Sequence, residues 1–99
     1  MATRESWAQL RDRRASEAGA AEAYEAAQLA FELSAAVREL RVTRGWSQAE
    51  LASAARMTQS AVARFEAAGT VPTLPVLGRI ARALDAKLTV QVGPRIDVA

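Results

Sequence analysis

Three polar side chains, Gln59, Ser60 and Arg64, are spaced so that one short helix presents them on a single face. Gln can bond N6 and N7 of adenine, Arg can bond O6 and N7 of guanine, and Ser can bond several base edges. These residues could therefore read the major groove of DNA. On one amphipathic helix alone, such residues would be interpreted as an ordinary solvated surface and not as a DNA-reading face. The neighbouring elements must therefore decide between the two interpretations.

Two short helices joined by a tight turn are predicted to position these side chains. Ser47 and Glu50 have the spacing of a capping box, which predicts the start of the first helix, and Thr58 is the predicted N-cap of the second. Only residues 54–57 separate the two helices. So short a connection favours the near-perpendicular crossing of a helix-turn-helix.

Apolar stripes predict one further helix on each side of this pair. The first ends near Arg44 with Gly45 as its stop, and the second begins after Thr73 with Pro75 in its first turn, where a missing amide costs little. The stripes are Leu29, Leu33, Val37 and Leu40 before the pair, and Leu74, Leu77, Ile80, Ala81 and Leu84 after it. Together they predict a mainly α-helical core.

The pattern from about Leu33 to Leu84 resembles the phage-repressor type of helix-turn-helix family (Cro/C1-like, XRE). The matching residues are Arg41, Gly45, Trp46, Ser47, Gln48, Glu50, Leu51, Ala52, Thr58, Gln59, Ser60, Val62, Arg64, Phe65, Glu66, Pro72, Thr73, Leu74, Leu77, Ile80, Ala81 and Leu84. The resemblance implies a phage-repressor-like bundle that reads DNA with Gln59, Ser60 and Arg64. It also implies an internal ion pair between Arg41 and Glu66.

A second set of residues is expected to hold the DNA backbone. In the family, the position of Gln48 binds a phosphate at a helix N-terminus, where the helix dipole favours an anion. The predicted phosphate contacts are Arg44, Ser47, Gln48, Thr58 and Thr70.

Two positions depart from the family pattern. Arg56 stands where the turn usually has Gly, so a non-Gly residue would have to adopt a left-handed conformation unless the turn has adjusted. Its side chain could contact DNA or be solvated. Residues 67–71 replace a loop that is often rich in Asn, Gly and Lys, which predicts fewer loop contacts to phosphate.

The charge is unevenly distributed, although the whole chain carries only +2. Residues 1–37 have four Arg and six acids, a balance of −2, whereas residues 38–82 have seven Arg and three acids, a balance of +4. Residues 83–99 balance to zero. The positive field therefore coincides with the predicted helix-turn-helix, although Arg79 and Arg82 could be ordinary surface residues.

Composition argues against several other classes of protein. The 99 residues contain no Cys and no His, so the usual groups for acid-base catalysis, thiol chemistry and common transition-metal sites are missing. We expect no enzyme activity, cofactor or metal. No apolar run approaches the ~20 residues that cross a membrane, and no leader is evident, so we expect a cytoplasmic protein.

The C-terminal residues alternate between apolar and polar. Leu88, Val90 and Val92 predict a strand, and Gly93 with Pro94 predicts a turn into a short second run through Ile96 and Val98. A hairpin alone would be marginal. Such a strand could pair with its copy in a second subunit or with the sheet edge of a partner. We expect a homodimer, because helix-turn-helix proteins read the two half-sites of an inverted repeat through twofold symmetry.

The N-terminal third exceeds what a minimal repressor domain needs. Ser6 and Gln9 predict a capped short helix to about Arg14, and residues 16–28 are Ala-rich and helical apart from Gly19. Its sizeable apolar residues, expected to be buried against the core, a sister subunit or another protein, are Trp7, Leu10, Tyr24, Leu29 and Phe31. The predicted organisation is a helical arm over 1–30, a helix-turn-helix domain over 31–85 and a strand or tail over 86–99.

Nearly the whole chain also resembles HigA-type antitoxins of type II toxin-antitoxin modules. The shared features are a Ser-Trp opening, the segment 24–26, the Glu32-Leu33 entry and the C-terminal sequence LTVQV, whereas Glu17, Ala18 and Gly19 replace the usual Asp-Pro. The resemblance implies a repressor that also neutralises a RelE/HigB-like ribonuclease toxin. The alternatives are a stand-alone or phage-type regulator, and a helical adaptor whose helix-turn-helix no longer binds DNA.

Overall fold

A computed structural model describes residues 6–95 and contains four helices over that range. They are α1 (Trp7–Thr43), α2 (Gln48–Ala55), α3 (Gln59–Glu66) and α4 (Leu74–Ala83). α2 packs against both α3 and α4, and α1 packs against α3. The predicted mainly α-helical class is confirmed.

α1 is a single helix of 37 residues, about 55 Å long at the usual rise per residue. It begins with the predicted capping box: the Ser6 hydroxyl accepts from the Gln9 amide at 3.1 Å, and the Gln9 side chain accepts from the Ser6 amide at 2.9 Å. It ends at Thr43 with Arg44 as its C-cap, and Gly45, the predicted stop, follows with a left-handed φ of +73°.

The predicted interruptions within the N-terminal arm are wrong. We expected a helix ending near Arg14 and a break at Gly19, but the helix is continuous through both. A glycine inside a helix costs only about 1 kcal/mol relative to Ala, and the Ala-rich neighbours of Gly19 favour helix strongly. The predicted boundary at residue 30 therefore lies inside α1, and the arm continues directly into the core.

The caps of the two central helices agree with their predictions. The Ser47 hydroxyl accepts from the Glu50 amide at 3.1 Å while the Glu50 carboxylate accepts from the Ser47 amide at 3.0 Å. The Thr58 hydroxyl accepts from the Ala61 amide at 3.1 Å. These bonds satisfy amides that helix geometry leaves without partners, so they fix where each helix begins.

The core lies between α2, α3 and α4. Phe65, Leu51, Ile80 and Val62 are its largest fully buried side chains. α1 contributes the partly buried Leu33 and Val37 along with two small buried residues, Ala30 and Ser34. The first buried residue of α1 is therefore Ala30, and most of the helix before it projects from the bundle, which gives the described chain dimensions of 63 × 31 × 21 Å. None of the helices within 6–95 has the combination of length and apolarity needed to span a membrane.

The predicted C-terminal strand is not present within the described residues. Residues 86–95 have no regular secondary structure, and the second run through Ile96 and Val98 lies outside the described range. A strand needs a partner for its backbone groups, and residues 6–95 supply no second strand. The segment lies instead beside α1, where Arg95 contacts Glu25 at 3.4 Å.

Candidate nucleic-acid interface

The two faces of α3 have opposite environments. Val62 and Phe65 are each only 1% exposed and anchor the helix in the core. Gln59, Ser60 and Arg64 are exposed. Because the helix spans only eight residues, a few buried contacts fix its orientation and leave the polar side chains free to meet a ligand.

The turn that connects α2 to α3 contains a residue in the left-handed conformation, which is one of the two possibilities that the family resemblance left open. Arg56 has φ 57° and ψ 49°, and its amide donates to carbonyls of the last turn of α2. For a non-Gly residue this conformation costs about 1 kcal/mol. The turn has therefore kept the geometry that glycine normally supplies, with an exposed cation in its place.

The residues at the start of α2 have intramolecular partners. Gln48 is half-buried, and its side-chain nitrogen donates to Glu66 Oε1 at 3.5 Å. The Ser47 hydroxyl accepts the cap bond, which leaves its own hydrogen available to donate. Both therefore retain hydrogen-bond donors that could bind a phosphate at this helix N-terminus.

Three of the predicted DNA contacts share one surface cavity. Thr58, Arg64 and Thr70 line a depression of about 460 Å³ between the start of α3 and the loop that follows it. Arg56 and Arg79 line the same depression. The fold therefore brings residues from the α2–α3 turn, α3, the loop that follows α3 and α4 onto one surface.

Arg44 lies elsewhere, between the ends of α1 and α4. One of its terminal nitrogens donates to the carbonyl of Leu84 at 3.3 Å, and its guanidinium carbon lies 4.6 Å from the centre of the Trp46 ring. These contacts hold the side chain against the bundle. The structure does not bring Arg44 into the cavity shared by Thr58, Arg64 and Thr70.

Arg41 and Glu66 form a two-point ion pair that joins α1 to the end of α3. Arg41 Nε lies 2.7 Å from Glu66 Oε2, and Nη2 donates to Oε1 at 2.8 Å. The third nitrogen, Nη1, donates to the carbonyl of Trp46 at 2.7 Å. The Glu66 side chain is only 4% exposed. The hydrogen bonds to Glu66 raise the pKa of Arg41 against an opposing effect of burial, so Arg41 stays charged.

Two further cations near this surface, Arg38 and Arg79, were not predicted from the sequence to contact DNA. Arg38 lines a depression of about 260 Å³ with Gln48, and Arg79 donates from Nε to the carbonyl of Ala55 at 3.2 Å. Their only sequence signal was the excess of Arg over residues 38–82. The positions depend on packing between elements distant in the chain, which local spacing does not encode.

A comparison with protein-family models supplies the class of protein. Residues 32–91, more than half of the chain, match the model described as a helix-turn-helix domain. The chain therefore belongs to the helix-turn-helix family, whose members are DNA-binding regulators. The search of curated proteins found no match, and the search of solved structures found none either.

Proposed function

We propose that this protein is a sequence-specific transcriptional repressor, non-enzymatic and cytoplasmic, that inserts α3 into the major groove. The observation that carries the proposal is the exposed set of Gln59, Ser60 and Arg64 on a helix anchored by Val62 and Phe65. Their donor and acceptor groups match purine edges. Exposed Thr58 and Thr70 beside them supply hydroxyl groups suited to the phosphate backbone.

Binding to the promoter fragment of its own gene tests this proposal. Fluorescence anisotropy across a salt series should show tighter binding to that fragment than to a scrambled duplex, with affinity falling steeply as salt rises. Weak binding without preference would reject the repressor and favour the adaptor alternative.

Single substitutions separate base reading from backbone contact. Gln59→Ala or Arg64→Ala should cost about 1–3 kcal/mol on the promoter and much less on the scrambled duplex, because a base contact is lost. Gln48→Ala should weaken both duplexes alike. The exposed Gln28 in α1 offers the control Gln28→Ala, which should change neither affinity. Equal losses on the two duplexes for Gln59→Ala and Arg64→Ala would refute their assignment.

An exposed apolar surface of this domain favours a homodimer that binds an inverted repeat. An apolar groove of about 690 Å³ runs between α1, the α3–α4 loop and the C-terminal segment. Leu29, Leu74 and Val90 line it and are each about 60% exposed, which is unusual for large aliphatic side chains in a monomer. Pairing residues 88–92 of two subunits would cover this groove and supply the missing strand partner.

The projecting part of α1 favours a second role as the toxin-binding arm of an antitoxin. Tyr24 and Phe31, seven residues apart and therefore on one face, are 72% and 62% exposed, and Trp7 near the start of the helix is 78% exposed. Aromatic side chains of this kind are typical anchors of protein interfaces. We propose a RelE/HigB-like ribonuclease as the partner.

Co-expression with the neighbouring gene tests the antitoxin role. The full chain should co-purify with the product of that gene and relieve its toxicity, whereas a chain that carries Trp7→Ala, Tyr24→Ala and Phe31→Ala should do neither. The substituted chain should keep the melting temperature and promoter affinity of the full chain, because all three side chains are largely exposed. If the full chain neither binds nor neutralises the neighbour, the stand-alone regulator becomes the better proposal.

A further inference from the structure

A strongly basic surface extends from α3 onto α4. Arg56 and Arg79 line both of two surface cavities: the depression of about 460 Å³ that includes Arg64, and another of about 240 Å³ that includes Arg82. Within residues 6–95 no acidic side chain lines either cavity. Four guanidinium groups therefore share one stretch of surface without a carboxylate among them.

These cations retain the capacity to bind a ligand. Arg56, Arg64 and Arg82 are exposed, and none of them forms an ion pair within the part of the chain that the structure describes. Arg79 is half-buried and uses only Nε, which donates to the Ala55 carbonyl. That bond holds its guanidinium in place and leaves both terminal nitrogens available.

The conformation of Arg56 is a separate observation that points to the same surface. A left-handed backbone favours glycine, yet this position has a charged residue whose exposed side chain contributes nothing to the core. Strained residues of this kind cluster at functional sites. Of the non-Gly residues with positive φ in the described range, Arg56, Ala68 and Asp85, only Arg56 lines the basic cavities. The position lies directly before Met57 and the Thr58 cap, and so at the edge of the predicted DNA-reading helix.

We infer that Arg56, Arg79 and Arg82 form a second phosphate-binding site, which holds the DNA backbone that flanks the groove occupied by α3. A phosphodiester chain presents anions along the length of such a surface, and guanidinium groups form strong charge-assisted hydrogen bonds with phosphate. Arg64 and Thr58 connect this surface to the base-reading face. The inference rests on the proposed DNA-binding function and adds contacts that specify no sequence.

Two substitutions at one position separate a DNA contact from a structural role. Arg56→Gly removes the charge and also the left-handed strain, whereas Arg56→Lys keeps both. We expect Arg56→Gly to melt no earlier than the wild type and to bind the promoter and the scrambled duplex several-fold more weakly. Its slope of log affinity against log salt should be shallower by about 0.9 for each subunit bound, or about 1.8 for a dimer. Arg56→Lys should retain the wild-type slope.

Arg82→Gln and a distant charge control complete the measurement. Arg82→Gln should reduce the slope by a similar amount, and its combination with Arg56→Gly by about 1.8 for each subunit bound. Arg14→Gln removes the same charge from the exposed arm and should leave the slope unchanged.

Each contrary result has a distinct meaning. If the wild type binds its promoter selectively but Arg56→Gly and Arg82→Gln keep its salt slope, the second phosphate site is rejected and the repressor stands. The site is also rejected if Arg56→Gly melts earlier and binds more weakly at an unchanged slope, because the side chain is then structural. If the wild type shows no selective binding, the repressor proposal fails and this inference fails with it.

Discussion

At the scale of single residues, Glu66 connects three helices. Its buried carboxylate, at the end of α3, accepts hydrogen bonds from Arg41 in α1 and from Gln48 in α2. The orientation of α3 therefore depends on a polar contact as well as on the apolar core. The spacing of Arg41 and Glu66 does not itself reveal their pairing over 25 positions; only the family resemblance suggested it.

We expect Arg41→Ala to reduce the free energy of unfolding by about 3–5 kcal/mol, because Glu66 would be left buried without its counterion. Denaturation with urea would measure this loss. Arg38→Ala, an exposed position on the same helix, is the control and should change stability by no more than about 0.5 kcal/mol. A small effect of Arg41→Ala would show that the carboxylate finds water or another donor.

The stabilisation from this ion pair should not vary with pH over the neutral range. The pKa of Arg41 is raised in the folded state, so its contribution is complete below the ordinary pKa of arginine and is lost only as the pH rises through the raised value. The difference in stability between wild type and Arg41→Met measured at pH 7 and pH 9 should therefore be the same. A difference that shrinks by pH 9 would contradict this.

At the scale of elements, the sequence predicted helix ends better than helix continuity. Capping boxes at Ser6 and Ser47 depend on residues three positions apart, and both are present in the structure. The break at Gly19 was wrong because its small local cost is outweighed by the Ala-rich neighbours. The strand predicted over 88–92 was wrong because alternation alone does not make a strand: pairing requires a partner that residues 6–95 do not supply.

The glycines inside and after α1 should respond oppositely to alanine. A Cβ at Gly19 would meet nothing within 4 Å, so Gly19→Ala should stabilise the arm by about 0.5–1 kcal/mol. Gly45 has φ +73°, so Gly45→Ala should destabilise the domain by about 1 kcal/mol. Circular dichroism at 222 nm during heating would measure the arm, and urea denaturation the domain. The same sign for both substitutions would contradict the backbone argument.

At the scale of the whole molecule, charge and apolar surface occupy different places. The basic cavities lie at the α2–α3 turn, the start of α3 and α4, whereas the apolar groove lies between α1, the α3–α4 loop and the C-terminal segment. The groove and the larger basic cavity meet at residues 71–73. The charge balance of residues 38–82 was readable from the sequence. The groove was not, because its lining comes from three distant parts of the chain.

A charge placed in the apolar groove should prevent dimerisation. We expect the wild type to sediment as a dimer, and Leu74→Asp or Val90→Asp to sediment as a folded monomer with weaker promoter affinity, because both subunits must hold adjacent half-sites. Val42→Asp places the same charge on a side chain of similar exposure outside the groove and should leave the dimer intact. A wild type that remains monomeric at high concentration would refute the dimer.

The continuity of α1 determines where a protein bound to the arm lies relative to promoter DNA. Because one helix runs from the arm into the packed domain, a protein held by the arm would lie on a fixed side of the duplex, set by the phase of the DNA helix. One turn of DNA is about 10.5 base pairs. Moving the operator by about five base pairs would therefore carry that protein to the opposite side of the duplex from neighbouring promoter elements, and moving it by a full turn would restore their alignment.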